Sequence, residues 1–310
     1  MTGHAAKETN LGALDGRVAV ITGAGRGIGR AHALLFAQEG AKVVVNDLGG
    51  AEDGSGADTG PAEAVVAEIK AMGGEAVAST DSVADFEGAE RMIHTAIDTF
   101  GDLHVLVNNA GILRDRMLVN MTEAEWDAVI HVHLKGHFAP LHFAAAYWRD
   151  QAKAGRPVKA AVVNTSSTSG LFNNPGQANY GAAKTGITSL TIIAQKELER
   201  YGVRVNAIAP SAWTRLIATV PGAQAPEESG EWSRQDPSNI APFVAYLCTA
   251  DCPIKGRVFL VRAGDVYLFQ PFAIVDEIHK DGPWTVEELS AEAARFAEVP
   301  FQLNNPHGRD

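Results

Sequence analysis

The sequence is poor in cysteine and contains no long apolar run. Its only two cysteines, Cys248 and Cys252, exclude a disulfide framework and a four-ligand zinc set built on cysteine. No stretch of about 18 apolar residues occurs, and Met1 to Asn10 lack the apolar segment of a secretory signal. Basic residues are also outnumbered, because 26 Lys and Arg stand against 37 Asp and Glu, for a net charge of -11. This charge disfavours nucleic acid or an anionic membrane as a partner.

Apolar residues, by contrast, make up 46% of the 310 residues, enough for a large core. Short runs rich in β-branched residues predict strands buried on both faces, and the helical segments between them predict right-handed crossovers. We therefore expect an α/β doubly wound (Rossmann) fold, with a seven-stranded parallel sheet and helices on both faces. The predicted strands are Arg17–Ile21, Lys42–Val45, Glu75–Ala78, Leu103–Val107, Ala160–Asn164, Arg204–Ile208 and Val258–Val261.

Several of the helical segments begin with recognisable start signals. Thr122 followed by Glu125 forms a capping box, and Asp236 precedes a proline suited to a first helical turn. The predicted helices are Ile28–Gln38, Pro61–Met72, Asp85–Phe100, Thr122–Asp150, Ala178–Tyr201, Pro237–Ala250 and, in the tail, Thr285–Phe296.

The order of these elements predicts one domain over residues 1–310, with a core at about 14–264 and a C-terminal extension at 265–310. Two connections, 48–60 and 211–235, are longer than usual. Because ligands bind at the carboxyl ends of parallel strands, we expect the second loop to act as a substrate lid.

A glycine-rich turn joins the first predicted strand to the first helix. Its glycines allow the backbone to approach a pyrophosphate at the helix N-terminus. The second strand ends in Asp47, whose carboxylate can accept hydrogen bonds from both adenosine ribose hydroxyls and would repel a 2′-phosphate. This indicates NAD, although an arginine in the turn could serve a phosphate. The turn residues expected at the cofactor are Gly23, Arg26, Gly27, Ile28 and Gly29.

Small and polar residues follow the third and fourth predicted strands at the same edge of the sheet. Such residues suit contacts with adenine and ribose, so we expect them to join the cofactor site. They are Asp81, Ser82, Asn109, Ala110 and Gly111.

Tyr180 and Lys184 stand four residues apart in a helical pattern, which places the phenol and the ammonium on one face. A phenol with its ordinary pKa of about 10 is a poor base at neutral pH, and a nearby cation lowers that pKa. Tyr180 is therefore the candidate proton-transfer group. Ser167 ends the fifth strand, where its hydroxyl could hydrogen-bond a reacting carbonyl oxygen, with Ser166 as a lesser candidate.

These residues together resemble the short-chain dehydrogenase/reductase family from Gly16 to about Val261. The matching motifs are Thr22-Gly23-x-x-x-Gly27-x-Gly29, Asn108-Asn109-Ala110-Gly111, Ser167 and Tyr180-x-x-x-Lys184. The resemblance implies an NAD-dependent oxidoreductase that oxidises a secondary alcohol to a ketone. It also implies that Lys184 holds the nicotinamide ribose and that Pro210 belongs to the cofactor site.

One position departs from the family pattern. Where the family usually has an Asn that bends a helix and anchors a relay water, this chain has His133. An imidazole can also bind a water or pass a proton, so His133 joins the candidate catalytic residues. The nearby His131, His137 and His142 invite a metal site, but no carboxylate or cysteine completes their helical face, and we expect no metal.

Within the family, the chain is similar to the hydroxyacyl-CoA dehydrogenase region of peroxisomal multifunctional enzyme type 2, a branch also called 17β-hydroxysteroid dehydrogenase type 4. This likeness implies a 3-hydroxyacyl-CoA as substrate, with a fatty or steroid-bearing acyl chain. Arginine and lysine are the usual partners of phosphate, and the residues that could meet coenzyme A are Arg114, Arg116, Arg215 and Lys255. The segments that carry the likeness are Val45–Gly50, Asn109–Arg116, Val132–Leu134, Gly176–Tyr180, Val205–Pro210 and Val261–Gly264.

Three other functions stay open: a free-steroid dehydrogenase, an NADPH-dependent 3-oxoacyl-carrier reductase and a non-catalytic dinucleotide-binding protein. Apolar residues on several faces of the predicted helices 122–150 and 178–201 indicate a homodimer or homotetramer. The chain length leaves no room for a hydratase domain, and Gly308-Arg309-Asp310 is not the peroxisomal signal. We therefore expect a stand-alone cytoplasmic enzyme.

Overall fold

A single eight-stranded sheet organises the chain in the computed structural model, which describes residues 12–214, 233–270 and 272–299. The strands run in the order β3-β2-β1-β4-β5-β6-β7-β8. All neighbouring pairs are parallel except β7 with β8. The strands are β1 (Val18–Thr22), β2 (Lys42–Asn46), β3 (Glu75–Ser79), β4 (Val105–Asn108), β5 (Ala160–Thr165), β6 (Val203–Pro210), β7 (Val258–Arg262) and β8 (Asp265–Phe269).

The doubly wound fold and its seven parallel strands are confirmed, and the eighth strand was missed. β8 pairs antiparallel with β7, so that Arg262 lies opposite Asp265 and Val258 opposite Phe269. The chain reverses through Ala263, which adopts a positive φ of 51°. The sequence pattern predicts that an extension begins at residue 265, because only this reversal reveals that the chain returns to the sheet.

Helices cover both faces of the sheet, and a short one at Thr168–Phe172 was not predicted. The bounds of the predicted helices follow the predictions closely with one exception. Thr122 and Glu125 form the expected capping box, and the Asp236 side chain accepts a hydrogen bond from Ser238 N–H. In the described residues the helices are α1 (Gly27–Gln38), α2 (Gly60–Ala71), α3 (Phe86–Phe100), α4 (Glu123–Ile130), α5 (Gly136–Lys153), α6 (Thr168–Phe172), α7 (Ala178–Leu198), α8 (Ala241–Cys248) and α9 (Val286–Glu292).

The exception is the predicted helix 122–150, which is not continuous. A π-helical turn at His131–Lys135 separates α4 from α5. After this turn the chain packs closely, because a Cβ on Gly136 would lie 2.7 Å from Val83 Cγ2. Hydrophobic periodicity does not reveal such a turn, since α-helical patterns continue on either side of it.

The core consists of layers on both faces of the sheet. Ala19 and Ile21 of β1 pack into one apolar cluster, and Val18 and Val20 pack into the other. This alternation explains why the strand sequences are apolar throughout: each face of the sheet is covered by helices.

The chain divides into two compact units, Met1–Phe269 and Gln270–Asp310. In the second unit, Thr285 and Glu288 form a capping box at the start of α9, and a 3-10 helix follows at Ala293–Glu298. Most of the predicted lid, residues 215–232, lies outside the described residues. No helix in the described ranges is long and apolar enough to cross a membrane.

Candidate active site

The carboxyl edge of the parallel sheet gathers most of the predicted site residues. The glycine turn follows β1, Asp47 follows β2, Asn109 follows β4, Ser167 closely follows β5, and Pro210 ends β6. Parallel strands all end at the same edge, and in doubly wound folds ligands bind in the crevice there.

The glycine turn fits a dinucleotide phosphate. Gly23 has a φ of +63°, and a Cβ on it would lie 2.8 Å from Ala110 Cα. A Cβ on Gly29 would lie 2.1 Å from the Gly23 carbonyl oxygen, so any side chain would push α1 away from the turn. The N-terminus of α1 has no acidic residue in its first turn and no side-chain cap. Its positive end therefore stays available for a phosphate.

Asp47 holds the backbone around this turn. Its Oδ2 accepts a hydrogen bond from Gly25 N–H at 2.8 Å, and its Oδ1 accepts one from Gly49 N–H at 2.7 Å. The side chain is largely buried, and it links the glycine turn to the loop after β2. Arg26 points toward the same loop and makes a long contact, 3.4 Å from Nη1 to the Gly50 carbonyl oxygen.

Asn109 and Ala110 support the turn from the neighbouring strand. Both backbone N–H groups donate to the Thr22 hydroxyl, at 2.9 and 3.1 Å. The Asn109 amide also donates to the carbonyl oxygens of Thr22 and Gly23, at 3.0 and 3.2 Å. Thr22 was not among the predicted cofactor residues, because its role depends on a cross-strand contact.

Asp81 and Ser82 lie at the same edge of the sheet, but their side chains interact with other residues of the protein. Asp81 forms an ion pair with Arg91, at 2.8 Å. The Ser82 hydroxyl accepts a hydrogen bond from Ala84 N–H at 3.3 Å. Their part in the cofactor site stays a prediction.

Ser167 and Tyr180 are brought together at the start of two helices. Ser167 is the N-cap of α6, where its hydroxyl accepts a hydrogen bond from Ser169 N–H at 3.2 Å. The same hydroxyl lies near the phenol of Tyr180 and lowers its pKa. Ser166, by contrast, is buried and donates to the Lys184 carbonyl oxygen at 2.9 Å, which leaves it a structural role.

Lys184 lies beneath Tyr180, and burial dominates the electrostatics of both. Lys184 Nζ donates to the Thr165 carbonyl oxygen at 2.6 Å and lies 5.4 Å from the centre of the Tyr180 ring. Burial lowers the pKa of Lys184 to about 7. Burial also raises the pKa of Tyr180 to about 12, against the hydrogen bond from Ser167 and with the help of the Asp115 charge.

This result is the opposite of the lowered phenol pKa that the sequence suggested. The helical spacing places the ammonium near the ring, as expected, but the loss of water around the phenol and the charge of Asp115 raise its pKa, against the effect of Ser167. In this state Tyr180 is therefore a protonated phenol at neutral pH.

His133 contacts Tyr180 because the π turn carries it there. The two rings are 5.0 Å apart and nearly perpendicular. His133 Nε2 lies 2.8 Å from the Ile112 carbonyl oxygen, and a Cβ on Gly111 would lie 2.3 Å from His133 Cε1. Burial holds the pKa of His133 well below its ordinary value, so the imidazole is neutral.

The histidines near the site bind the backbone of the protein. His137 Nδ1 lies 2.8 Å from the His133 carbonyl oxygen. Among the described residues, no group of three or more His, Cys, Asp or Glu side chains is placed to hold a metal ion.

The residues suggested to bind the phosphates of coenzyme A make contacts with other parts of the protein, or lie outside the described residues. Arg114 Nε donates to the Asp53 carbonyl oxygen at 2.8 Å, and Arg116 pairs with Glu125 at 2.9 Å. Lys255 pairs with Glu199 and lies three residues before the start of β7, at the edge of the sheet opposite the site. Arg215 lies outside the described residues.

Two further polar residues lie close to the Ser167–Tyr180 pair and were not among the predicted site residues. Gln177 Nε2 donates to Asp115 Oδ2 at 2.7 Å, and Gln177 Oε1 accepts a hydrogen bond from the Ser169 hydroxyl at 2.6 Å. The sequence feature that could have identified Gln177 as a site residue is its position three residues before Tyr180, in a segment that leads into a helix.

The family assignment follows from this geometry and from a direct comparison. A family model described as short chain dehydrogenase matches residues 17–218. The chain belongs to the short-chain dehydrogenase family. Members of this family use a nicotinamide dinucleotide to oxidise or reduce at a hydroxyl-bearing carbon, and this dehydrogenase is accordingly an oxidoreductase acting on hydroxyl groups.

Similar proteins cover most of this dehydrogenase. The hydroxyacyl-CoA dehydrogenase ChsB1 of Mycobacterium tuberculosis is 44% identical over 293 residues, which are 92% of this chain and 90% of ChsB1. The peroxisomal multifunctional enzyme type 2 of Mus musculus is 45% identical over 250 residues, 81% of this chain but 32% of the mouse protein. A crystal structure of a short chain dehydrogenase from Mycobacterium avium has a TM-score of 0.82 and 49% identity, and the match covers 93% of this chain and 96% of that one.

Proposed function

We propose that this dehydrogenase oxidises the hydroxyl group of a 3-hydroxyacyl-CoA to a ketone with NAD. The observation that carries the proposal is the meeting of Ser167, Tyr180 and Lys184 at the sheet edge that also carries the glycine turn. The substrate class is supported by the similarity to ChsB1, a hydroxyacyl-CoA dehydrogenase, over nine-tenths of both chains.

Three side chains, Tyr180, Ser167 and Lys184, take part in the proposed proton transfer. A nicotinamide dinucleotide, held by the glycine turn and Asp47, supplies the hydride acceptor. Tyr180 takes the hydroxyl proton of the substrate at its phenol oxygen, while the Ser167 hydroxyl hydrogen-bonds the substrate oxygen. Lys184 is held beside the ring by the Thr165 carbonyl oxygen, and in its protonated form it would favour the phenolate. Because burial raises the pKa of Tyr180 to about 12, the oxidation rate should rise with pH over the alkaline range.

The preference for NAD rests on Asp47, whose fixed carboxylate would repel the 2′-phosphate of NADP. The alternative is an NADPH-dependent reductase of 3-oxoacyl carriers, which Arg26 in the turn favours. Steady-state rates with both cofactors distinguish the two, and a clear preference for NADP would overturn the reading of Asp47. The homo-oligomeric state and the cytoplasmic location stay predictions.

Replacing Tyr180 by Phe tests the enzymatic proposal directly. The Tyr180→Phe variant should keep its thermal midpoint and its NAD binding, because the ring is retained. Its turnover should fall by roughly 10²–10⁴-fold, the usual contribution of a general acid or base. The measurement is NADH absorbance with a panel of 3-hydroxyacyl-CoA thioesters and free steroid alcohols. Unchanged turnover would remove Tyr180 from the mechanism, and a rate only with steroid alcohols would replace the proposed substrate class.

A further inference from the structure

A chain of hydrogen bonds joins the Asp115 carboxylate to the reacting hydroxyls. Asp115 Oδ2 accepts from Gln177 Nε2 at 2.7 Å, and Gln177 Oε1 accepts from the Ser169 hydroxyl at 2.6 Å. Ser169 N–H then donates to the Ser167 hydroxyl at 3.2 Å, and Ser167 lies near Tyr180 and lowers the pKa of its phenol. Asp115 is thus held in place beside the catalytic pair, and its charge acts on the Tyr180 phenol.

The arginines on either side of Asp115 are directed elsewhere. Arg114 donates to the Asp53 carbonyl oxygen, and Arg116 pairs with Glu125. Gln177 is neutral, so its hydrogen bond orients the Asp115 carboxylate without cancelling its charge. The positive group of the site, Lys184, is buried on the Thr165 carbonyl oxygen.

We propose that Asp115 selects against substrates that carry a negative charge next to the reacting carbon. On this proposal, the alcohol oxidised is a neutral ester or thioester of a 3-hydroxy acid, and the free 3-hydroxy acid is rejected. The inference rests on the proposed function and narrows its substrate class.

The physical basis is repulsion between like charges: Asp115 is exposed, but it stands at the end of the hydrogen-bonded chain that leads through Gln177 and Ser169 to Ser167. In a free 3-hydroxy acid the carboxylate is separated from the carbinol carbon by a single methylene, so binding would place it close to Asp115. At the effective dielectric constant of a protein surface, two such charges within about 8 Å of each other weaken binding by about tenfold or more. A thioester carbonyl at the same position carries no charge and meets no such penalty.

The test compares two small substrates in the wild-type enzyme and in Asp115→Asn, with saturating NAD. One is the N-acetylcysteamine thioester of 3-hydroxybutyrate, which is neutral and lacks the phosphates of coenzyme A, and the other is free 3-hydroxybutyrate. The ratio of kcat/KM for the thioester to kcat/KM for the acid should fall by about tenfold or more in the variant. Asp115→Glu should keep a ratio near that of the wild type, because it retains the charge.

The control is Asp98→Asn, an exposed carboxylate in the last turn of α3, at the opposite edge of the sheet. It makes the same change in net charge and should leave the ratio unchanged. A merely structural role for Asp115 would lower both kcat/KM values together and leave their ratio constant, and that outcome would overturn the proposal.

A pH profile separates failure of this inference from failure of the proposed function. If the thioester is not oxidised but another alcohol is, the proposed substrate is wrong, and the role of Asp115 is then tested on that alcohol. Loss of the Asp115 charge should shift the alkaline limb of the pH profile of oxidation to lower pH, because one source of the raised pKa of Tyr180 is removed. Among the described residues, the other titratable groups facing the phenol are Lys184 on α7 and His133 on the π turn, and both are unchanged in the variant. An unshifted profile would contradict the proposal.

Discussion

Asp47 combines two tasks in one side chain. Each of its carboxylate oxygens accepts a backbone N–H, from Gly25 on one side and from Gly49 on the other. Placement at the end of β2 predicted the charge for the ribose, but only the structure shows that the same carboxylate fixes the shape of the glycine turn. We therefore expect a substitution at this position to change both cofactor choice and the geometry of the turn.

Asp47→Asn should shift the cofactor preference toward NADP. The amide oxygen can still accept one backbone hydrogen bond, but the charge that repels a 2′-phosphate is lost. We expect the ratio of kcat/KM for NADP to that for NAD to rise by about tenfold, a gain of about 1.4 kcal/mol. Arg26→Ala is the companion variant, and it should reduce whatever NADP activity exists. An unchanged ratio in Asp47→Asn would show that cofactor choice is decided elsewhere.

At the scale of elements, the helices that carry the site also present apolar side chains to the surface. Phe138 on α5 is 45% exposed and Ile193 on α7 is 51% exposed. Phe138 stacks on Phe86, and both lie close to His142. Such exposed apolar side chains on long helices are typical of surfaces that pair in an oligomer.

Pairing through α5 and α7 predicts a homodimer or homotetramer. Light scattering at micromolar concentration should give a mass that is two or four times the 32.8 kDa of one chain. Ile193→Glu should lower that mass, because a buried charge at the interface costs several kcal/mol. Val286→Glu, at an exposed position in the second compact unit, is the matched control and should leave the mass unchanged. A wild-type monomer would contradict the prediction.

Across the whole molecule, buried neutral histidines make stability depend on pH. Burial lowers the pKa of His32 to about 3 and that of His137 to about 3, and it holds the pKa of His133 well below its ordinary value. In the unfolded chain these groups bind protons at about pH 6.5. Because the unfolded state then binds more protons, stability is complete above about pH 6.5 and is lost as the pH falls toward 3.

His32→Leu should remove its share of this acid sensitivity. His32 is fully buried beside Phe36, and neither ring nitrogen has a hydrogen-bond partner among the described residues. At neutral pH, a leucine of similar size should be neutral or stabilising. At about pH 5.5 the variant should gain about 1 kcal/mol more over the wild type, measured by urea unfolding. His94→Leu, an exposed position on α3, should show no such gain. Parallel pH profiles for the wild type and His32→Leu would contradict the assignment.

The sequence by itself determined the doubly wound fold and the edge of the sheet at which Ser167, Tyr180 and Lys184 meet. These features follow from local patterns: apolar runs form strands, parallel strands end at one edge, and a four-residue spacing places two side chains on one helical face. Hence the bounds of most elements and the capping box at Thr122 could be read directly.

Only the tertiary structure decided the features that depend on contacts between distant segments. The return of β8 to the sheet, the π turn that carries His133 to Tyr180, and the link from Asp115 through Gln177 join residues whose spacing has no period. The tertiary structure also decides the pKa of Tyr180, because the direction of its shift depends on how much water the folded protein removes from the phenol. Composition cannot predict that desolvation, since it exists only once the surrounding helices and loops have packed.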